Sequence, residues 1–134
     1  MSFFSVIDTA ATGLSAQRIR INVISSNVAN AKTTRTEEGG PYRKKNVIFE
    51  QVLHGQHKGG VKVQKILPDF KPPMLVYEPS HPDANEEGYV AYPNINPIEE
   101  LVNMLEASRS YEANVTIVNT AKQLAQQAIG IGQR

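Results

Sequence analysis

The chain has 134 residues, a formal net charge of +1 and no cysteine. This length favours one domain, and the near-neutral charge argues against nucleic acid or a membrane surface as a partner. The lack of cysteine excludes a disulfide framework, a thiolate metal site and a cysteine nucleophile. The N-terminal residues lack the basic and apolar stretches of a cleaved secretory signal, and no segment approaches the ~18 apolar residues of a membrane span.

The N-terminal segment has the apolar spacing of a long helix, predicted over Phe3–Ala29 with Ser2 as its N-cap and Asn30 ending it in the left-handed conformation. The predicted seam advances by alternating steps of four and three residues, which is the a/d spacing of a coiled coil. Gly13 lies inside the helix, where it is either tolerated or marks the close approach of a second helix. The seam positions are Phe3, Ile7, Ala10, Leu14, Gln17, Ile21, Ile24 and Val28.

The middle of the chain, residues 32–96, is rich in Pro and Gly and predicts an extended linker followed by a small β-rich insert. Alternating apolar and polar residues within it predict short strands. The strand candidates are Val47–Phe49, Val61–Ile66, Leu75–Tyr77 and Gly88–Tyr92.

The insert contains only weak candidates for a metal-binding, partner-binding or catalytic site. His54 and His57 share a loop, but with no third ligand nearby the spacing favours a solvated loop over a metal site. The basic run Arg43–Lys45 is either a solvated strand edge or a contact for acidic partners. No catalytic triad order, phosphate-binding glycine loop or paired carboxylates is present in the sequence, so we expect no catalytic, metal or cofactor site and no enzyme activity.

The C-terminal segment predicts a second helix from Pro97 to about Ile129, ending near Gly130 and Gly132, because Asn96 and Pro97 form a strong N-terminal signal. Its charged first half is expected to face water or polar partners, and its second half to pair with the first helix. Gln17 and Lys122 are the polar seam residues; each either sets the register between the helices or lies at the seam edge, and the edge is favoured. The predicted seam positions are Leu101, Met104, Ser108, Tyr111, Val115, Val118, Lys122, Ala125 and Ile129.

Together these segments predict a mainly α fold, in which the two terminal helices pair as an antiparallel coiled-coil-like hairpin around a small irregular β-containing insert. The helical domain would comprise residues 1–31 and 97–134, and residues 32–96 would form the linker and insert. Residues 32–112 hold 22 of the 27 charges, so the outer faces of the helices are largely neutral and suited to burial against copies. A two-helix hairpin is marginal alone, so we expect the terminal segments to order on assembly.

The segment Ser26–Thr34 resembles the signature that ends the N-terminal helix of flagellar rod, hook and hook-associated proteins. The stretches 81–84 and 107–122 narrow this resemblance to proximal rod proteins of the FlgC type, and the likeness spans nearly the whole chain. The positions that carry the motifs are Ser26, Asn27, Ala29, Asn30, Thr33, Tyr111, Glu112, Asn114, Asn119 and Lys122.

The resemblance implies a structural subunit of the proximal rod of the bacterial flagellar basal body. Such subunits polymerise with themselves and with other proximal and distal rod proteins into a helical drive shaft, which transmits torque and surrounds the export channel. The terminal helices would form the inner tube and the insert would lie outside it. The resemblance also implies export by the flagellar type III apparatus without signal cleavage, a place in the rod across the periplasm, and the rod-to-ring adaptor and basal ring as further candidate partners.

A cytosolic coiled-coil adaptor, for instance a secretion chaperone, is the alternative that the helical pattern leaves open. A rod subunit should sediment with basal bodies and self-associate at high concentration, whereas an adaptor should remain a small oligomer bound to its clients. The physical state of the protein therefore distinguishes the two classes.

Overall fold

The computed structural model describes residues 2–55 and 57–133, so residues 1, 56 and 134 of the predicted terminal segments and loop lie outside it. Two long terminal helices enclose an insert of two small antiparallel sheets, which confirms this part of the predicted fold. The elements are α1 (Phe3–Ala29), β1 (Lys45–Gln51), β2 (Val61–Pro68), β3 (Met74–Tyr77), β4 (Tyr89–Tyr92) and α2 (Pro97–Gly132).

Helix α1 has the predicted bounds and capping residues, but Asn30 adopts a different conformation from the predicted one. The Ser2 hydroxyl accepts a hydrogen bond from the Ser5 N–H at 3.2 Å, as expected of an N-cap. Asn30 has φ −103° and ψ 14°, so the predicted left-handed conformation is wrong. Its backbone N–H and its Nδ2 both donate to the Ser26 carbonyl, at 3.0 and 2.9 Å, so the last turn is closed without a positive φ.

Helix α2 begins as predicted and ends in the predicted region. The Asn96 Oδ1 accepts from the Ile98 N–H at 3.0 Å, and Pro97 is the first helical residue. The helix passes through Gly130 and ends at Gly132. One glycine costs a helix interior about 1 kcal/mol, which is too little to end a helix on its own.

The two helices pack against each other in opposite directions, because partner numbers fall in α2 as they rise in α1. The facing pairs are Gly13 with Asn114, Arg20 with Glu106, and Asn27 with Glu100. At this spacing α1 begins beside residue 124, so residues 125–132 extend about 12 Å beyond it. The prediction that only the second half of α2 pairs with α1 is wrong, since Glu100 and Ala107 in the first half are buried.

Both sheets are hairpins, and the four predicted strands are confirmed. In the β1–β2 sheet the register shifts at a bulge between Ile48 and Phe49. Helix α1 contacts both of these strands. In the β3–β4 sheet Val76 pairs with Val90, whose side chain is fully buried.

Among residues 2–55 and 57–133, no helix is long and apolar enough to cross a membrane.

The core of the described residues is small. The accessible surface is 9601 Å², whereas a compact monomer of 14.8 kDa exposes about 7,000 Å². The buried apolar side chains are Ala10, Ala16, Ile24, Val90, Ile95, Ala107 and Ala121.

Candidate assembly site

Asn27 is the centre of a polar junction where α1, the insert and α2 meet. Its side chain is 1% exposed and uses both ends of the amide. Its Oδ1 accepts from the Lys45 N–H at 2.9 Å and from the Tyr42 hydroxyl at 3.1 Å. Its Nδ2 donates to the Lys45 carbonyl at 2.9 Å and to Glu100 Oε2 at 3.2 Å. One residue thus fixes the start of β1 to the end of α1 and to the first turns of α2.

Glu100 and Lys44 form a buried ion pair beside Asn27. The Glu100 side chain is 1% exposed and that of Lys44 is 16% exposed, with Nζ 2.7 Å from Oε1. The contact joins the ammonium and the carboxylate directly. Burial opposes the charged ammonium, but the close contact with Glu100 and its negative charge outweigh burial and raise the pKa of Lys44 above its usual 10.5.

The turn after α1 is built from side chains of the same motif. The Thr33 hydroxyl donates to Asn30 Oδ1 at 3.1 Å, and the Tyr42 N–H donates to the Thr33 carbonyl at 3.0 Å. The hydroxyls of Ser26 and Tyr42 lie 3.3 Å apart. The chain leaving α1 is therefore folded back by hydrogen bonds rather than by an apolar core.

A second polar contact ties the next residues to the β3–β4 hairpin. The Thr34 hydroxyl donates to Asp83 Oδ2 at 2.7 Å, and Arg35 forms an ion pair with the same carboxylate. The bond from Thr34, aided by Arg35 and opposed by burial, lowers the pKa of Asp83 below its usual 3.8. Both hairpins are thus anchored to the segment around the end of α1.

The tip of the β1–β2 hairpin is held against α1. His57 Nδ1 lies 2.7 Å from Asp8 Oδ2, and the Thr12 hydroxyl accepts from the Val61 N–H at 3.1 Å. The expectation of a solvated loop is therefore incomplete, because His57 contacts α1 although it remains 57% exposed. No group of three metal-ligating side chains occurs in the described part of the chain.

The inner stripe of α2 differs from the predicted seam at alternate positions. At those positions Glu100, Ala107 and Ala121 are buried and Asn114 faces Gly13, whereas Leu101 and Lys122 are exposed and Ser108 and Val115 are half-buried. Small side chains let the helices approach closely: a Cβ on Gly13 would lie 2.9 Å from Asn114 Nδ2. This favours close approach over simple tolerance as the reason for Gly13.

The predicted seam residues divide into two groups. Those that are buried or half-buried are Ile7, Ala10, Leu14, Gln17, Ile21, Ile24, Val28, Met104, Ser108, Tyr111, Val115, Val118 and Ala125. Those that are exposed are Phe3, Leu101, Lys122 and Ile129. Gln17 has its Oε1 buried without a hydrogen-bond partner in residues 2–55 and 57–133, so it lies inside the seam, whereas Lys122 lies at the edge as expected.

The surface of α2 away from its buried side carries large apolar side chains in two groups, one near its start and one in its second half. Their exposed fractions run from 45% for Ile117 to 74% for Ile131. Positions 98, 102 and 105 are spaced by four and three residues and positions 117, 124 and 131 by seven, with the exposed Arg109 and Glu112 between the two groups. We call the two groups together the outer stripe, and they comprise Ile98, Val102, Leu105, Ile117, Leu124 and Ile131. A stripe of this kind on a described surface indicates an interaction face.

Comparison with known proteins identifies the family. A family model described as flagella basal body rod protein matches residues 7–35, and one described as flagellar basal body rod FlgEFG protein C-terminal matches residues 86–131. The flagellar basal-body rod protein FlgC of Borreliella burgdorferi is 44% identical over 99% of each chain. Those of Bacillus subtilis and Salmonella typhimurium are 43% and 42% identical, each over 99% of this chain and 100% of the relative.

The chain belongs to the FlgC family of flagellar basal-body rod proteins. Its relatives are structural proteins of the basal body and not enzymes, which confirms the expected class of protein. The family resemblance read from the sequence is thereby confirmed, and the relatives do not support a cytosolic adaptor.

The FlgC-family motif residues are only partly brought together. The junction holds Ser26, Asn27, Asn30 and Thr33, whereas Ala29, Glu112, Asn119 and Lys122 are exposed and Tyr111 and Asn114 are half-buried on α2. Sequence reasoning missed Glu100 and Lys44 as members of the junction. The available signal was the seven-residue recurrence of Glu100, Ala107, Asn114 and Ala121, which marks one helix face.

Proposed function

We propose that the chain is a subunit of the proximal rod, which assembles with copies of itself and with other rod proteins through its terminal helices. The observation that carries this proposal is the full-length similarity to FlgC proteins of several bacteria. The excess surface supports it, since the chain exposes about 2,600 Å² more than a compact protein of its mass. An excess of this size exceeds what one standard protein–protein interface buries.

The helices are proposed to pair as an antiparallel coiled-coil-like hairpin. The inward positions on both helices advance by alternating steps of four and three residues, as a coiled-coil seam requires. On α1 they are Val6, Ala10, Gly13, Gln17, Arg20, Ile24 and Asn27, and on α2 they are Glu100, Met104, Ala107, Tyr111, Asn114, Val118, Ala121 and Ala125. In this proposal residues 1–31 and 97–134 form the inner tube domain, and residues 32–96 form the linker and outer insert.

The exposed apolar residues of α2 supply the contacts between subunits. Burying side chains such as Leu105 and Ile117 against a neighbour contributes roughly 1.5–3 kcal/mol for each one fully buried. Many such contacts around a tube give the rod the rigidity that torque transmission requires. The predicted seam residues that stay exposed in the subunit, Phe3, Leu101 and Ile129, belong to these contacts.

The proposal extends to the setting of the rod. Its neighbours are copies of the chain, other proximal and distal rod proteins, and the rod-to-ring adaptor and basal ring. The subunit is handled by the flagellar type III export apparatus without signal cleavage, and the rod crosses the periplasm around the export channel. A thin core supports the further proposal that the terminal segments order only on assembly, which far-UV circular dichroism of the dilute protein tests; a fully helical monomer with a cooperative melt contradicts it.

The function is tested by placing charge on the outer stripe. The double variant Leu105→Asp/Ile117→Asp changes two exposed residues that lie away from α1. It should leave the subunit able to fold but prevent its incorporation into isolated basal bodies and abolish swarming, because each aspartate must be desolvated at the interface.

The matched control is Ser80→Asp, which adds charge to an exposed insert loop and should swarm normally. Helical content in about 1 M trimethylamine N-oxide, an osmolyte that favours buried states, checks that both variants fold. Normal swarming and incorporation of the double variant would overturn assembly through this face.

A further inference from the structure

Charge is separated along the middle of the chain. Residues 43–71, which hold the β1–β2 sheet, carry seven Lys and Arg side chains and two Asp and Glu. Residues 72–108, which hold the β3–β4 sheet and the start of α2, carry seven Asp and Glu and no Lys or Arg. Although the whole chain has a net charge of only +1, its middle therefore contains a basic segment followed by an acidic segment with a similar number of charges.

The first sheet presents basic side chains around an apolar centre. Its inner residues, such as Phe49 and Val63, are half-buried, so strand alternation turns Ile48 and its cross-strand partner Lys65 outward. Ile48 is 38% exposed, and the neighbouring Phe70 is 82% exposed. Glu50 shares this surface and forms an ion pair with Lys62 at 3.5 Å, whereas Lys65 takes part in no ion pair of the described residues. We call this surface the basic face, and it comprises Ile48, Glu50, Lys62, Lys65, Leu67 and Phe70.

The second sheet presents acidic side chains around an aromatic centre. Val76 and Val90 point inward, so the adjacent pair Tyr77 and Tyr89 points outward, with the ring centroids 5.3 Å apart. Glu86 and Glu87 are exposed in the turn that leads into β4, and neither takes part in an ion pair of the described residues. We call this surface the acidic face, and it comprises Leu75, Tyr77, Glu86, Glu87 and Tyr89.

We propose that the basic face of one copy of the chain docks on the acidic face of a second copy. Each face has an apolar centre and a charged margin, and the margins have opposite sign, so docking pairs the charges while it buries both centres. Lysine ammonium groups also bind favourably over exposed tyrosine rings such as Tyr77. The proposal rests on the proposed self-assembly of the chain and names a surface for it outside the helices.

The contact joins two different surfaces, so two copies held by one such contact keep one free basic face and one free acidic face. Further copies can add at these free faces, which gives a ring or a helical array. The faces are exposed, so their attraction is screened beyond a Debye length of about 10 Å at 0.1 M salt. They therefore set the register and partner choice of subunits that the helices also hold.

The absence of cysteine from the sequence allows a direct cross-linking test on the full-length chain. The variant Lys65→Cys/Glu87→Cys places one thiol on each face. Mild oxidation at about 50 mM salt should give a ladder of disulfide-linked oligomers, while either single variant gives only monomer and traces of dimer. A ladder supports the proposal, whereas an intrachain disulfide or no cross-link overturns it.

Charge exchange tests the complementarity itself. Sedimentation velocity should show that Lys62→Glu/Lys65→Glu weakens self-association by about tenfold or more, and that Glu86→Lys/Glu87→Lys does the same. Mixing the two variants should restore association, because the reversed faces are again opposite in sign. The control Glu37→Lys/Glu38→Lys makes the same charge change in another exposed loop and should associate as the wild type does.

The outcomes separate this inference from the proposed function. Reversals without effect, or a mixture that stays dissociated, overturn the docking of the two faces. If the outer-stripe variant Leu105→Asp/Ile117→Asp still fails to enter basal bodies in that case, the proposed function stands. A wild-type chain that neither self-associates nor enters basal bodies overturns both.

Discussion

The buried ion pair of Glu100 and Lys44 should add little net stability to the fold, whereas removal of one partner alone should destabilise it strongly. The variant Glu100→Leu leaves the Lys44 ammonium without its partner and removes one of two acceptors of Asn27 Nδ2. Breaking a buried pair costs about 3–5 kcal/mol, and the lower end applies because Lys44 stays 16% exposed and can turn toward water. We expect Glu100→Leu to lower the free energy of unfolding by about 3 kcal/mol.

Removing both charges should restore most of this loss. The double variant Lys44→Met/Glu100→Leu leaves no buried charge and fills similar volume, so its stability should lie within about 1 kcal/mol of the wild type. Glu99→Gln is the matched control, since Glu99 is exposed one residue away and should change stability by less than about 0.5 kcal/mol.

The assay is urea unfolding followed by circular dichroism in about 1 M trimethylamine N-oxide, which favours the folded chain. A double variant no more stable than Glu100→Leu alone would refute this reasoning, as would a Glu100→Leu variant as stable as the Glu99→Gln control. The raised pKa of Lys44 fixes the pH window. Its contribution is complete below the unfolded value near 10.5 and is lost as pH rises through the folded value.

Three further predictions concern contacts at other places. The lowered pKa of Asp83 stabilises the fold above about pH 3.8, and this contribution is lost as pH falls through the folded value. Asp83→Asn should therefore be less stable than wild type at pH 6, and the difference should shrink as pH falls below about 3.8; a difference that does not change with pH would contradict the Thr34 contact. His57→Ala removes an exposed pair and should change stability by less than about 0.5 kcal/mol and leave swarming intact, and lost motility would reveal a role for the loop. Leu14→Asp and Val118→Asp each place a charge at a half-buried position and should abolish swarming, so wild-type swarming by either would count against the helix pair.

The sequence was sufficient for the elements whose signals are local. Ser2, Asn96 and Pro97 are capping residues that act within one turn, and the bounds of α1 and the start of α2 follow from them. The strands alternate in the usual way, so each was found to within a few residues.

The inner face of α2 was predicted only in part, because the prediction placed apolar residues such as Leu101 inward. Leu101 is apolar and exposed, whereas its neighbour Glu100 is charged and buried. Nothing near Glu100 in the sequence shows that it will contact Lys44 and Asn27. Asn27 lies 73 positions away from it in the chain. The partners that permit a buried charge come from distant segments, so a pattern within one helix cannot reveal them.

The facing pairs between the helices have a consequence for the rate of folding. Asn27 and Glu100 are 73 positions apart and Arg20 and Glu106 are 86 apart, so the helix pair closes a very long loop. Closing such a loop costs roughly 4 kcal/mol of chain entropy before any contact is gained, whereas the two hairpins close short ones. We expect the hairpins to form first and the helices to pair last. A helix that pairs late remains accessible both to the other helix of its own chain and to a helix of a neighbouring subunit. Pairing within the chain therefore competes with pairing between subunits in the last step of folding.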